Sequence, residues 1–210
     1  MRKSVLAIIV VFLFAFCTPD KKGEWISLFD GKTLDGWKVG NNAKTFSVEE
    51  GAIVANGEVA HLFYDGLVQN HSFKNFELKV ELMTMPGSNS GIYFHTAYQE
   101  SSWPQKGYEV QVNNSQSDWR RSGSLYAIQD VKEVYAKDNE WYTEHIIVKD
   151  KHITVYINDK KVVDYTEPDH VQREEGMKGR VLSSGTFALQ GHDPKSKVLY
   201  RSIKVKVLPD

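Results

Sequence analysis

Disulfide bonds and an excess of charge are both missing from this chain. Its only cysteine is Cys17, so the residues that follow must be stabilised by their core and not by disulfides. The 26 lysine and arginine residues nearly balance the 27 aspartate and glutamate residues, which gives a formal net charge of -1. Nucleic-acid-binding domains usually carry a basic patch or stripe. The balance of charges therefore predicts no nucleic-acid partner.

Several catalytic motifs are absent as well. The chain has no Gly-rich phosphate loop, no serine nucleophile elbow, no cysteine pairs with zinc spacing and no His-Glu-x-x-His helix. Nucleotide use, serine hydrolysis and zincin chemistry are therefore disfavoured. No segment keeps a helical hydrophobic period for more than about two turns, which argues against a helical fold.

The longest apolar run lies at the start of the chain. Arg2 and Lys3 precede the uncharged residues 5–16, and Cys17 follows directly. This run is too short to span a bilayer, which takes roughly 20 residues, and it has the form of an export signal. It resembles a bacterial lipoprotein signal, which predicts a signal peptide over 1–17 with Cys17 lipidated, a tether over 18–23 and one domain over 24–210. The protein would then be exported to the periplasm or cell surface and anchored to a membrane. An ordinary secretory signal is the alternative.

Beyond residue 23, alternating apolar and polar residues predict many short strands. Trp25 to Trp37 reads as an edge strand that folds over and tucks Trp37 under a sheet, and Asn158 to Lys160 reads as a hairpin turn. Residues 113–139 are polar and read as a long loop with one short strand near Leu125. Together these features predict an all-β fold, an antiparallel two-sheet β-sandwich or jelly roll. The other predicted strands are 45–48, 52–55, 76–82, 91–95, 108–112, 141–149, 152–158, 161–165, 186–190 and 198–208.

Strand alternation also predicts a functional face. Side chains two residues apart on a strand share one face, so polar groups on four predicted strands are expected on the same side of the sandwich. Polar faces of antiparallel sheets commonly just meet water, and that alternative stays open. Histidine, glutamine, glutamate and tyrosine, however, are groups that hydrogen-bond sugar hydroxyls. The residues expected together are Glu81, Tyr93, His95, Glu109, Gln111, Gln190 and His192. His61, in contrast, is expected in a surface or loop role.

Six segments in order resemble one bacterial family, the 3-keto-disaccharide hydrolase domain. The matched segments run from Trp25 to Leu208 and carry the patterns "sLFdGktLdGW", "NSGI-aromatic-F", "GYEVQ", "EWN…NGxxVxdy", "GxIxLQxH" and "FRNIxI". The resemblance implies a concanavalin A-like sandwich that acts on sugars outside the cytoplasm. The chain departs from the family pattern at His95, where arginine is usual, at Tyr142 and at Asp159.

The chemistry implied by the resemblance begins at a ketone on C3 of a glycoside, which acidifies the hydrogen on C2. A base removes that hydrogen, the enolate expels the C1 substituent, and water adds back. Glu109 and His95 are the candidate base and acid. The candidate substrate-binding residues are Glu81, Asn89, Tyr93, Gln111, Trp119, Gln190 and His192.

Several alternatives remain open from sequence. Glu81 and Glu109 would be the two carboxylates if an unoxidised glycosidic bond were cleaved directly. His95, Glu109 and His192 would be the ligands if a divalent metal served as the electrophile, although their spacing matches no known metal motif. The domain would otherwise be a non-catalytic carbohydrate-binding module, or a structural surface lipoprotein.

Overall fold

Two antiparallel sheets form the molecule. The computed structural model describes residues 23–210, so Cys17 and the predictions of a signal peptide over 1–17 and a tether over 18–23 lie almost wholly outside the described residues. The predicted all-β sandwich is confirmed. Two short 3₁₀ segments, Ala43–Thr45 and Val68–His71, accompany the strands. The strands are β1 Trp25–Ser27, β2 Trp37–Val39, β3 Phe46–Glu49, β4 Ala52–Ala55, β5 Ala60–Tyr64, β6 Phe76–Thr84, β7 Ser90–Thr96, β8 Tyr108–Val112, β9 Tyr142–Lys149, β10 His152–Ile157, β11 Lys160–Thr166, β12 Thr186–Gly191 and β13 Val198–Val207.

The strand order separates a large sheet from a small one. The large sheet has eight strands in the order β11-β10-β9-β6-β13-β4-β3, with β1 also paired to β13. The small sheet has five strands in the order β2-β5-β12-β7-β8. All the pairings are antiparallel. Since β7 and β12 are central in the small sheet, their outward side chains lie in the middle of its outer face.

The core lies between the two sheets. Phe76 of the large sheet packs edge-on against Phe187 and Phe94 of the small sheet, with ring centroids 4.9 and 5.8 Å apart. Each fully buried side chain of this size stabilises the fold by about 1.5–3 kcal/mol. The core therefore supplies the stability that a domain without cysteines needs. The inward residues of the small sheet include Leu62, Ile92, Phe94, Val110, Phe187 and Leu189.

Local predictions are confirmed where side-chain chemistry dictates a turn or an anchor. Trp37 is buried, and its indole Nε1 donates a hydrogen bond to the Leu28 carbonyl at 2.8 Å, so the predicted tuck is present. Asn158 adopts φ of 52° at the predicted hairpin turn, a left-handed conformation that asparagine tolerates well. The short strand expected near Leu125 is wrong, because Leu125 forms only isolated bridges to Val110 and Gln129.

Two strands of the small sheet, β2 and β5, were not predicted. β5, Ala60–Tyr64, pairs with both β2 and β12 and is buried throughout. Its residues are apolar or aromatic at nearly every position, so the alternation that marks a half-exposed strand is weak. His61 therefore lies on a central strand and not in a loop.

Candidate active site

Loops cover the outer face of the small sheet. Every residue of β5, β7, β8 and β12 is buried, on the outer face as well as the core face. An exposed antiparallel face would be open to water, and this one encloses a cavity of about 340 Å³. The expectation of a shared polar hollow is therefore confirmed for most of its members. The cavity is lined by Asn89, Tyr93, Ser102, Trp103, Pro104, Gln105, Glu109, Gln111, Asp118, Tyr126, Gly176, Met177, Arg180, Gln190 and His192.

The Glu109 carboxylate is the central group of this cavity. Its Oε2 lies 3.4 Å from Nη2 of Arg180, and its Oε1 accepts a hydrogen bond from Nε2 of Gln190 at 2.9 Å. Burial raises the pKa of Glu109 above its usual value, and the positive charge of Arg180 opposes part of that rise. A buried carboxylate with a raised pKa is a stronger base than an exposed one, and such groups cluster at functional sites.

Gly91 makes room for Glu109 on the neighbouring strand. A Cβ at this position would lie 2.5 Å from Oε1 of Glu109 and 3.0 Å from its Cγ. Any larger residue would displace the carboxylate. The glycine of the "NSGI" segment thus has a direct packing reason, which is close approach of a functional side chain to the backbone.

Two amide side chains line the same face. Gln190 donates from Nε2 to the Tyr93 hydroxyl as well as to Glu109, each at 2.9 Å. Its Oε1 is buried with no hydrogen-bond partner within residues 23–210. Gln111 donates from Nε2 to Oδ1 of Asn89 at 2.9 Å. Gln190, Tyr93, Gln111 and Asn89 form a fixed set of hydrogen-bond donors and acceptors. The unpartnered carbonyl oxygen of Gln190 can accept a hydrogen bond from a ligand hydroxyl.

Aromatic and histidine side chains form the rim. Trp103 is 42% exposed, and its ring centroid lies 5.5 Å from those of His61 and His192. His192 bonds through Nδ1 to Oδ2 of Asp193 at 2.7 Å, which orients the imidazole. An exposed indole beside a polar cavity is suited to contact with the apolar face of a sugar ring.

Two functional candidates have no clear signal in the sequence. Arg180 comes from an irregular segment, so no periodicity predicts its position beside Glu109, and its guanidinium carbon lies 5.3 Å from the Tyr93 ring centroid. His61 lies edge-on to Tyr93 at 5.4 Å, and its Nε2 has no partner in the part of the chain that the structure describes. Burial, with the charge of Arg180, lowers the pKa of His61 to about 4, so the ring is neutral near pH 7. If residues 60–64 had been assigned to a strand, His61 would have been expected on the same face as Gln190, its partner on β12.

The predicted placement of His95 beside Tyr93 is wrong. The pairing of β7 with β12 shifts register after Tyr93, and His95 itself has φ of 54°. The bulge turns the ring away from the cavity. Its Nε2 lies 2.9 Å from the Lys74 carbonyl, and its Nδ1 accepts a bond from the Ser183 amide at 3.2 Å. His95 thus anchors two loops.

Glu81 and Trp119 also lie elsewhere. Glu81 is on β6 of the large sheet, where it pairs with Arg201 on that sheet's outer face. Trp119 is 47% exposed on the 113–139 loop and stacks with Arg120. Neither lines the cavity, whereas Asp118 and Tyr126 of the same loop do. Strand parity alone cannot say which of the two sheets a residue belongs to, and this caused the error for Glu81.

The possible metal set is not assembled. Among residues 23–210 no group of three or more His, Cys, Asp or Glu side chains is arranged to hold a metal ion. His95 faces away from Glu109, and His192 bonds to Asp193. The alternative in which His95, Glu109 and His192 form one ligand set is therefore not supported by their positions. Within the same residues, no helix is long and apolar enough to cross a bilayer.

Comparison with known proteins agrees with the motifs. The family model of the 3-keto-alpha-glucoside-1,2-lyase-like domain matches residues 24–206. The chain belongs to this family. A curated relative, the 3-keto-disaccharide hydrolase of Bacteroides thetaiotaomicron, is 31% identical over 175 residues, which cover 70% of this chain and 60% of the relative. The chain thus spans about 60% of the length of that relative.

Solved structures share the fold. A Parabacteroides distasonis protein provisionally named a glycosyl hydrolase superposes with a TM-score of 0.74 at 24% identity, covering 89% of this chain and 94% of the other. The carbohydrate-binding module CBM66 of Bacillus subtilis gives 0.59 at 13% identity, covering 81% and 95%. These likenesses show the concanavalin-like sandwich, and the family assignment comes from the sequence matches.

Proposed function

We propose that this domain cleaves 3-keto-glycosides by removing the proton on C2 and releasing the C1 substituent. One observation carries the proposal. A buried glutamate with a raised pKa lies in a sugar-sized cavity, paired with an arginine and surrounded by amide groups. Family membership supports the substrate class, since the domain is named for a 3-keto-glucoside lyase and the curated relative for a 3-keto-disaccharide hydrolase.

Glu109 is the proposed base. A carboxylate has about four acceptor sites, and Glu109 interacts with Gln190, Tyr93 and Arg180. One site is therefore available for the C2 proton. As that proton moves to Glu109, the C–H electron pair forms the C2–C3 double bond and the ketone oxygen becomes an enolate. Burial makes the carboxylate more basic, which favours this transfer.

Arg180 and the polar side chains of the face are the proposed enolate stabilisers. When the C2 proton is removed, negative charge moves from Glu109 to the ketone oxygen. Arg180 is placed to stabilise this charge both before and after the proton moves. The guanidinium is only 7% exposed, so its interaction is weakly screened by water. Tyr93, Gln111 and Asn89 supply hydrogen bonds that would orient the sugar hydroxyls.

His192 takes the role first predicted for His95, the acid for the leaving group. When the enolate returns to a ketone, the C1–C2 double bond forms and the C1–oxygen bond breaks, so the departing oxygen needs a proton. His192 lines the cavity. Its Nδ1 is bonded to Asp193, so Nε2 is the ring nitrogen that would donate the proton. Water then adds to C1 and gives its second proton to His192, and Glu109, after its proton has exchanged with solvent, protonates C2.

Glu109→Gln tests this proposal against a non-catalytic binding module. The amide keeps the shape of the side chain and removes the base, so turnover of a 3-keto-disaccharide should fall on the order of 10²–10⁴-fold while binding persists. Glu81→Gln is the matched control, because it makes the same change on the other sheet. Binding by the wild-type protein with no turnover of any keto-disaccharide would favour the binding module.

We also infer that the protein is an exported lipoprotein anchored through Cys17. The inference rests on the charged start, the short apolar run and the cysteine that follows it. Cys17→Ser should abolish incorporation of labelled fatty acid and release the domain from the membrane fraction. Equal membrane association in the variant and the wild type would contradict the anchor.

A further inference from the structure

A second cavity lies on the same outer face of the small sheet, towards its other end. It has a volume of about 410 Å³. The sheet contributes Phe63 and Tyr64 from β5, Thr96 from β7 and Thr186 from β12, and the rest of the lining comes from loops and the 3₁₀ segment Val68–His71. Gln190 of the first cavity and Thr186 of the second lie four residues apart on β12. At about 3.4 Å per residue these two strand positions are roughly 14 Å apart.

The boundary between the cavities is apolar. Phe63, Tyr93 and Ala188 form a small cluster of their own, separate from the main core. Tyr93 lines the first cavity and Phe63 lines the second. The two cavities are therefore neighbours on the same face, with this buried apolar cluster between them.

The second cavity holds a buried polar atom that nothing in the described chain satisfies. Thr96 is only 1% exposed, and its Oγ1 has no hydrogen-bond partner among residues 23–210. A buried hydroxyl without a partner is costly, by about 1–3 kcal/mol. A ligand that offers a hydroxyl would remove that cost. Thr186, in contrast, already donates its hydroxyl to the Tyr64 carbonyl.

The backbone at the rim is strained. Gln69, Asn70 and His71 have consecutive φ values of 50°, 50° and 45°, all in the left-handed region. Three such residues in a row, none of them glycine, are uncommon even though asparagine tolerates this conformation, and backbone strain concentrates at ligand-binding segments. Asn70 and His71 both line the cavity.

Two of the basic side chains that line the cavity have partners. Lys106 donates from Nζ to the Ser184 carbonyl at 2.7 Å, and His71 lies 3.8 Å from Asp65. Tyr98 is 43% exposed, and its ring lies edge-on to Phe63 at 5.4 Å. Hydroxyls, an amide and an exposed aromatic surface together suit a polyhydroxylated ligand.

We propose that this second cavity is a carbohydrate subsite that binds a further sugar residue of the same ligand, beyond the residue held at Glu109. The identity of the ligand as a sugar rests on the proposed function. The separation of the cavities exceeds the length of two linked sugar rings. A disaccharide in the first cavity would therefore leave the second cavity empty. Longer glycosides would fill both.

Amide chemical shifts of the purified protein test the subsite. The probes are α-linked gluco-disaccharides that carry the C3 ketone and the corresponding tetrasaccharides, added to the Glu109→Gln protein so that no turnover occurs. Both should shift Gln190 in the first cavity, and only the tetrasaccharides should shift Thr96 and Tyr98. If no tetrasaccharide shifts Thr96 or Tyr98, the subsite is overturned, whatever happens at Gln190. Absence of shifts at Gln190 alone counts against the proposed function and not against the subsite.

Two substitutions complete the test. Tyr98→Ala removes an exposed ring, and Thr96→Val removes only the unpartnered hydroxyl while it keeps the side-chain shape. Each should lower the tetrasaccharide-to-disaccharide affinity ratio, by about tenfold for Tyr98→Ala. Tyr135→Ala is the control, because this ring is similarly exposed and lines neither cavity. An unchanged ratio in both variants, with folding confirmed by thermal unfolding, would overturn the proposal.

Discussion

Each sheet carries one glutamate–arginine pair on its outer face, and the two pairs differ in their surroundings. Glu81 and Arg201 lie on the large sheet with 34% and 43% of their side chains exposed, whereas Glu109 and Arg180 on the small sheet are each 7% exposed. The hydrogen bond from Arg201 lowers the pKa of Glu81. Burial raises the pKa of Glu109 in spite of Arg180. The same two residue types thus give a solvated ion pair in one place and a candidate base in the other.

The difference arises from what covers each sheet. Loops after β7, within residues 113–139 and before β12 close over Glu109, while the corresponding face at Glu81 stays open to water. Desolvation disfavours the charged form of a carboxylate, and a nearby cation favours it. Comparison of the two pairs shows that desolvation is the larger effect on the small sheet.

Of the substitutions that compare the two glutamate–arginine pairs, Arg180→Met should have the largest effect. Loss of the guanidinium leaves Glu109 buried without its cation, so its pKa rises further. The base must be ionised to act, and the acid limb of kcat/KM should therefore move to higher pH. Turnover above that limb should also fall on the order of 10²–10³-fold, because the enolate loses its cation. A pH series of initial rates measures both effects.

Arg201→Met is the matched control for that experiment. It removes the same group from the solvated pair and should leave the pH profile unchanged. If both variants shifted the acid limb equally, long-range charge and not the buried pair would be responsible.

Glu144 extends the comparison to a carboxyl group that is buried with no cation. It lies on β9, is fully buried, and neither carboxyl oxygen has a partner within residues 23–210. Desolvation raises its pKa well above the usual value. The folded protein then holds a proton that the unfolded chain releases, so stability should fall as pH rises above about 4.5.

Glu144→Gln removes that titration. The stability of the wild type relative to the variant should fall between pH 5 and pH 8, because only the wild type carries the buried carboxyl group that must stay protonated in the folded state. Urea denaturation at the two pH values gives the difference. A constant difference between the two proteins would mean that Glu144 does not titrate differently on folding.

The smallest effect is expected at the solvated pair itself. Exposed ion pairs contribute about 0–1 kcal/mol to stability, so Glu81→Gln should change the free energy of unfolding by less than that amount. It should not change turnover, because Glu81 lies on the other sheet from the cavity. A large loss of activity would revive the two-carboxylate alternative and break the comparison.

Much of this fold follows from local patterns in the sequence. Alternation marks β6 and β8, asparagine marks the hairpin turn at 158, and the parity of Tyr93, Glu109, Gln111 and Gln190 correctly predicts their common face. These features depend on residues within one strand or turn. Local chemistry is sufficient to determine them.

The rest depends on contacts between distant segments. The bulge that turns His95 away has no glycine or proline to mark it, and Arg180 and Trp103 reach the cavity from irregular loops. The side on which Glu81 lies depends on which sheet receives β6. A single sequence carries little information on such pairings, so these parts of the site required the structure.

Exchange of the C2 hydrogen tests the central claim most directly. A 3-keto-disaccharide incubated with the protein in D₂O should yield product that carries deuterium at C2, beyond the slow exchange seen without protein, and Glu109→Gln should lose this exchange together with cleavage. Wild-type protein that cleaves the substrate with the original C2 hydrogen fully retained would contradict the account.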